Sequence, residues 1–402
     1  MMKSIMGYLL KRERLKQDKG QKEICYGICV VSYLSKIENG VVNPEPEIVK
    51  KLFERLGINI LCLDDTIQYL GKIIDEYYNM FEYNYECNLY DELLNNSALL
   101  EYSEFAIDWI IIQGFEKDNT YEQLCEYEDY MSDRQKGYYY ILALRYLMDM
   151  PSDNKKKSLK KKEEIVGYGE KAYKYLNSSF SLNELMTAYY WANDYSKIHQ
   201  MESEAVSIAV REGNVYQLAN YYMLDGTAYA CIDMSDMMMK CYRRAMNILR
   251  NTNWKELLET IYYNIGATLI TEKKYDEALI YLDKCDADSL YVLHKKAIVL
   301  IRMGDIEQGK ACIAKAEEII AQNVCMESDL LKFEEVRMEC IPDFTESKDY
   351  MILLEKLMSK LEQERHFGHI FFYKDILIET YIKQRQYKKA LDFMNGIMKR
   401  RS

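Results

Sequence analysis

The chain has 402 residues, of which 49% are hydrophobic, and carries a formal net charge of −11 at pH 7. That length far exceeds the roughly 60–80 residues of one small domain. With only 4 Pro and no runs of alternating Val, Ile and Thr, it predicts an all-α protein of two parts. No uncharged apolar stretch approaches the ~18 residues of a membrane span, the longest run being interrupted at Asp108, and Lys11, Arg12 and Arg14 break any leader-like start. A cytoplasmic protein is therefore expected.

The first predicted helix spans Tyr8 to Lys16, with Leu9, Leu10 and Leu15 as core positions, and Lys19-Gly20 breaks it. Gln21 to Tyr26 form a second, short helix that turns Ile24 and Cys25 inward. Gly27-Ile28-Cys29 is a tight turn, and Val31 to Glu38 is a third helix. Leu34 and Ile37, three apart, share one face of it, while Ser32, Ser35 and Lys36 lie on the other. Asn39-Gly40 stops the helix, because Gly accepts the left-handed conformation that closes one. Pro44 and Pro46 delimit a loop before a fourth helix, Glu47 to Leu56, carried by Ile48, Leu52 and Leu56 and ended by Gly57.

Two short helices joined by a tight turn and packed on flanking helices make a helix-turn-helix domain, here assigned to residues 1–63. A major groove about 12 Å wide admits one helix, so the groove-facing candidates are Val31, Ser32, Tyr33, Ser35 and Lys36. Gln21, at the start of the second helix, is placed against a phosphate. Residues 1–60 hold 11 Lys/Arg and 7 Asp/Glu, net +4, whereas the remainder holds 42 and 57, net −15. A basic head on an acidic body is the asymmetry expected when only one end meets double-stranded DNA. One weakness is visible: Val30 occupies the N-cap of the third helix, where Ser or Thr would accept a backbone hydrogen bond worth roughly 1 kcal/mol. Val31 can touch a thymine methyl but cannot make a bidentate hydrogen bond.

Gln21-Lys22-Glu23-Ile24, the run Ser32-Tyr33-Leu34-Ser35-Lys36-Ile37-Glu38-Asn39-Gly40, Pro44 and Leu52 through Leu56-Gly57 resemble the phage-repressor (XRE/Cro) type of helix-turn-helix. The Gly-Ile-Cys turn and the Tyr-Leu-Ser-Lys-Ile-Glu-Asn-Gly run look like one subgroup: the Rgg/PlcR/NprR-like (RRNPP) peptide-pheromone regulators of Gram-positive bacteria. The resemblance covers about the first 60 residues.

From about residue 65 repetition organises the chain. Tyr262-Tyr263-Asn264-Ile265-Gly266-Ala267 through Leu269, a turn at Glu272-Lys273-Lys274, then Tyr275-Asp276-Glu277-Ala278-Leu279 and Leu282 match the tetratricopeptide (TPR) signature. Ala297, Leu300, Gly309, Ile313 and Ala316 repeat its spacing. A weaker unit precedes it at Gly226, Tyr229, Tyr242 and Ala245, and another closes the chain at Tyr381, Tyr387, Ala390 and Met394. Helices at Gly137–Met148 and Ile165–Leu176 keep the hairpin rhythm. Small residues where helices cross favour an array over a plain bundle. Residues 64–402 are thus read as a TPR-like right-handed α-superhelix for peptide sensing and dimerisation. Its inner-face candidates are Asn220, Tyr221, Tyr263, Asn264 and Lys295. Asn can bond a peptide C=O and N–H together, and Tyr supplies apolar area with a polar tip. Asn264, beside the Ile-Gly pair, is the strongest single candidate.

Other features are read as bland. The basic run from Pro151 to Lys162 is assigned to a solvated loop opening a helix at Glu163-Glu164. His366 and His369 share a helix face but lack a third ligand, and the 11 Cys are odd in number and hold no C-x-x-C pair, so neither metal nor disulfide framework is expected. No phosphate-binding loop, dinucleotide turn, nucleophile elbow or H-E-x-x-H occurs, so no enzyme and no cofactor is expected. The helix-turn-helix and the array together strengthen the resemblance. It implies a homodimeric regulator whose operator binding is changed by a short signalling peptide in the TPR groove, as in quorum sensing. Two alternatives stay open: an array that binds a partner protein, and a phage or mobile-element regulator of lysis and lysogeny.

Overall fold

The computed structural model describes residues 4–60, 65–86, 88–150, 155–323, 325–364 and 367–401. Among these, every regular element is helical, and no helix is long and apolar enough to cross a membrane. The 63/64 boundary and His366 lie outside the described residues, as do residues 151–154 of the basic run. Two compact units emerge. The first comprises residues 1–150, 161–188 and 211–217, and the second residues 151–160, 189–210 and 218–402.

The first unit begins with α1 (Ile5–Lys16), α2 (Gln21–Cys25), α3 (Val31–Glu38) and α4 (Pro46–Arg55). Leu9, Leu10, Ile24, Leu34, Ile37, Leu52, Phe53 and Leu56 close the core between them. Two expected core positions are displaced. Leu15 is 58% exposed, and Val49 rather than Ile48 is buried on α4. The other predicted positions, Leu9 and Leu10 on α1 and Leu52 and Leu56 at α4, are buried as expected. Pro46 opens α4 at its first turn, where its missing N–H costs no hydrogen bond.

α1 and α3 touch backbone to backbone. A Cβ on Gly7 would lie 1.9 Å from the Ile37 carbonyl oxygen, so only glycine fits. The pair is locked by Arg14, whose Nε and Nη2 donate to Glu38 Oε1 and Oε2 at 2.6 and 2.9 Å in a buried, bidentate ion pair. The same hydrophobic cluster continues into α5 (Asp65–Glu82) through Ile67, Leu70, Ile74 and Tyr77. Tyr8 also donates to Glu126 at 2.8 Å and Arg12 to the Tyr127 hydroxyl at 2.6 Å. Asp108 is buried on the apolar Ala106–Glu116 helix. It accepts from Tyr78 at 3.1 Å and Gln135 at 2.6 Å, which explains a carboxylate inside so apolar a run.

The second unit is built of helical hairpins. Lys255–Thr271 pairs with Tyr275–Leu282, Leu290–Arg302 with Ile306–Gln322, and the Glu327–Glu339, Lys348–Gln363, Phe367–Lys383 and Tyr387–Arg401 helices follow. The small residues sit where these helices cross. A Cβ on Gly266 would meet the Leu282 side chain at 2.9 Å, and one on Gly309 would meet Ile301 at 2.5 Å. Ala245, Ala278, Ala297 and Ala316 are all fully buried. At the C-terminal repeat Tyr381 and Ala390 are buried, but Tyr387 and Met394 are exposed, so half of that predicted unit faces outward. The Lys155–Leu176 helix begins well before Glu163-Glu164, so much of the basic run is helical rather than loop.

Candidate functional site

The candidate nucleic-acid face lies on α3. Cys29 and Ile28 donate back to the Cys25 carbonyl at 3.0 and 2.9 Å, and Gly27 takes φ +72°, which turns the chain from α2 into α3. At the other end Val41 donates to the Lys36 carbonyl at 2.8 Å and Gly40 to Ile37 at 2.9 Å, with Gly40 at φ +67°. This is the left-handed stop that the Asn-Gly pair predicts. Leu34 and Ile37 face the core. Ser32 and Lys36 are exposed, and Val31, Tyr33 and Ser35 are half-buried. Gln21 is engaged elsewhere: its amide donates to Glu38 Oε2 at 2.8 Å, beside the Arg14 ion pair. Its side chain therefore orients the Arg14–Glu38 lock. Val30 caps α3 without a side-chain hydrogen bond.

Two apolar residues at the mouth of α3 are exposed, Tyr26 at 79% and Val30 at 68%; the sequence pattern places them at the end of the second helix and at the N-cap of the third, not among the groove-facing candidates.

The second unit holds two cavities, of about 400 and 430 Å³, that share Tyr263, Asn264 and His369 in their linings. The larger also takes in Trp191, Lys295, Phe372, Lys374 and Asp233. Asn264 is half-buried, and its amide reaches Thr227 Oγ1 at 3.4 Å. Thr227 is in turn 3.0 Å from the fully buried Tyr242 hydroxyl. Burial pushes the Tyr263 phenol up, so it stays a neutral donor. Tyr221 is buried and lines neither cavity, and half-buried Asn220 lines neither. Of the five predicted inner-face residues, the cavities gather Tyr263, Asn264 and Lys295.

Part of the lining was not foreseen. The Phe367–Lys383 helix contributes Phe371, Phe372 and Lys374, and Lys374 Nζ holds Asp233 at 2.6 and 2.7 Å. A single Lys-Asp pair inside the apolar stretch from Phe371 to Leu377 was the available signal. It pointed to a polar element on an otherwise buried face.

The chain matches the helix-turn-helix family over residues 10–61. It is 25% identical over 400 residues to the transcriptional activator NprA of Geobacillus stearothermophilus, covering 91% of this chain and 96% of that protein. Over nearly its whole length the chain resembles the RRNPP group of regulators. Solved structures share the fold. A Rap protein complexed with competence and sporulation factor superposes with a TM-score of 0.60 at 13% identity, over 83% of this chain and 97% of that one. The apo quorum sensor NprR of B. thuringiensis gives 0.54 at 17% identity, over 84% and 100%. The chain thus joins an N-terminal helix-turn-helix to a TPR-like helical array.

Proposed function

We propose that this protein binds an operator through α3 and that a short signalling peptide, bound in the cavities bordered by Tyr263 and Asn264, modulates that binding. It acts as a homodimer, residues 1–63 meeting DNA and residues 64–402 sensing the peptide and joining the two copies. The observation that carries the reading is the pairing of an outward polar α3 face with cavities built around one amide and one phenol. An Asn beside an aromatic wall can hold an extended backbone whatever its side chains. Two helix-turn-helix domains in a dimer must present their α3 helices about 34 Å apart to meet successive major grooves. A ligand can alter that presentation only by as much as its affinities for the two arrangements differ. The names of the relatives agree: NprA is called a transcriptional activator and NprR a quorum sensor.

A mobility-shift assay with the DNA upstream of the gene tests the first half. Replacing Ser32, Ser35 and Lys36 together by Ala is expected to weaken binding by about tenfold or more, since a good base contact is worth roughly 1–3 kcal/mol. Undiminished binding by the triple variant would remove α3 as the reading helix.

A further inference from the structure

We propose that the larger cavity selects a peptide bearing a carboxylate, and that Lys295 is the residue that meets it. This rests on the peptide-binding reading above and specifies its ligand. Lys295 lines the cavity, yet it is only 1% exposed, and among the described residues its ammonium nitrogen has no hydrogen-bond partner. Its ammonium lies over the Phe372 ring, 2.9 Å from the centroid, a cation–π contact that offsets part of the cost of burial but supplies no hydrogen-bond acceptor.

The charged neighbours show how unusual this is. Lys374, in the same lining, holds Asp233. Lys332 holds Asp329 at 3.0 Å, and Arg302 holds Glu339 at 2.9 and 2.5 Å. Glu335 accepts from Tyr350 at 2.6 Å and Tyr373 at 3.3 Å, and Tyr373 also meets His294 at 2.8 Å. Burial and the nearby Glu339 push the Glu335 carboxyl up to about 8. Burial and Lys332 push the Lys295 amine down, while Glu335 and Glu339 oppose that shift from nearby without hydrogen-bonding to it.

An unpaired buried amine is costly, and the cost vanishes when an anion arrives with hydrogen-bond geometry. Such a site rejects a neutral isostere strongly, because the neutral ligand leaves the amine unpaired. The carboxylate has two possible sources on a peptide, an Asp or Glu side chain or the C-terminus.

The test uses synthetic heptapeptide pools, each pool with Asp or Glu at one position and a matched pool with Asn or Gln there, in free-acid and C-terminally amidated forms. Bound peptides are recovered on the full-length protein and counted by mass spectrometry, with Trp191 fluorescence as an independent signal. Wild type is expected to enrich carboxylate peptides by about tenfold or more over matched amides, the factor that ~1.4 kcal/mol represents. A preference for free-acid over amidated forms of the same pool assigns the C-terminus; a preference for Asp/Glu over Asn/Gln pools that survives amidation assigns a side chain. Lys295→Met, of similar length, is expected to abolish the enrichment while still binding neutral members. Peptides that bind wild type without any carboxylate preference would overturn the Lys295 assignment and leave the peptide reading standing. If no pool binds at all, both fall. Should Lys295→Met fail to fold, the wild-type acid-to-amide comparison decides alone.

Discussion

The helix-turn-helix and the repeat cavity treat buried charge in opposite ways. In the helix-turn-helix, Arg14 meets Glu38 through two hydrogen bonds, Gln21 braces the same carboxylate, and the Lys19 carbonyl accepts from Arg14 at 2.9 Å. In the second unit, Lys295 has no such partner among the described residues although its neighbours do. The first arrangement fixes one geometry, as the proposed fit to a groove requires. The second leaves one group open to completion from outside, as the proposed peptide site requires.

Glu38→Ala attacks the closed network directly. It leaves the Arg14 guanidinium buried and unpaired, so a loss of about 3–5 kcal/mol is expected, read by denaturant unfolding together with loss of operator binding. A change below 1 kcal/mol would mean that the ion pair is no lock. Gly7→Ala strikes the α1–α3 backbone contact and should cost about 3 kcal/mol, at the upper end of overpacking effects, because the obstruction is the Ile37 carbonyl rather than a flexible side chain.

His294 probes the open region. Burial, then Lys295, Lys332 and Arg302, hold its imidazole well below the ordinary 6.5. The unfolded chain therefore binds a proton that the folded one refuses. Stability from this group is fully present above about pH 6.5 and declines as pH falls toward the lowered value. The difference in unfolding free energy between wild type and His294→Gln is expected to shrink or reverse as pH is taken from 7.5 to 5. A pH-independent difference would show that the imidazole takes up its proton equally in the folded and unfolded states. The smallest effect expected is a gain: Val30→Ser supplies the cap that α3 lacks, worth about 1 kcal/mol, without touching the groove-facing residues. Thermal unfolding reads it, and a null result would mean that water already satisfies those N–H groups.

Periodicity and turn chemistry made much of this legible. The α3 boundaries, the Asn-Gly stop and the Leu34–Ile37 face follow from spacing of three and four and from glycine's freedom at positive φ. The crossing positions Gly266 and Gly309 follow from the repeat, because only small residues let two helices approach there. Leu15 and Ile48 were misjudged because each lies at the edge of its helix's apolar face, Leu15 about 140° round from Leu10 and Ile48 beside the buried Val49, and packing decides which edge residue is covered.

By itself, then, the sequence determined the all-helical class, the helix-turn-helix at the basic end, the repeat behind it and the candidates Asn264 and Tyr263, since these depend on local spacing, charge and turn-forming residues. Only tertiary structure decided that Gln21 braces Glu38, that Tyr221 is buried away from the cavities, and that Lys295 sits in one without a hydrogen-bond partner among the described residues while Lys374 holds Asp233. Those outcomes hang on which side chains from distant helices meet, as in the 141-residue separation of Lys374 and Asp233. Pairing across such a distance is written in packing, where no periodicity records it.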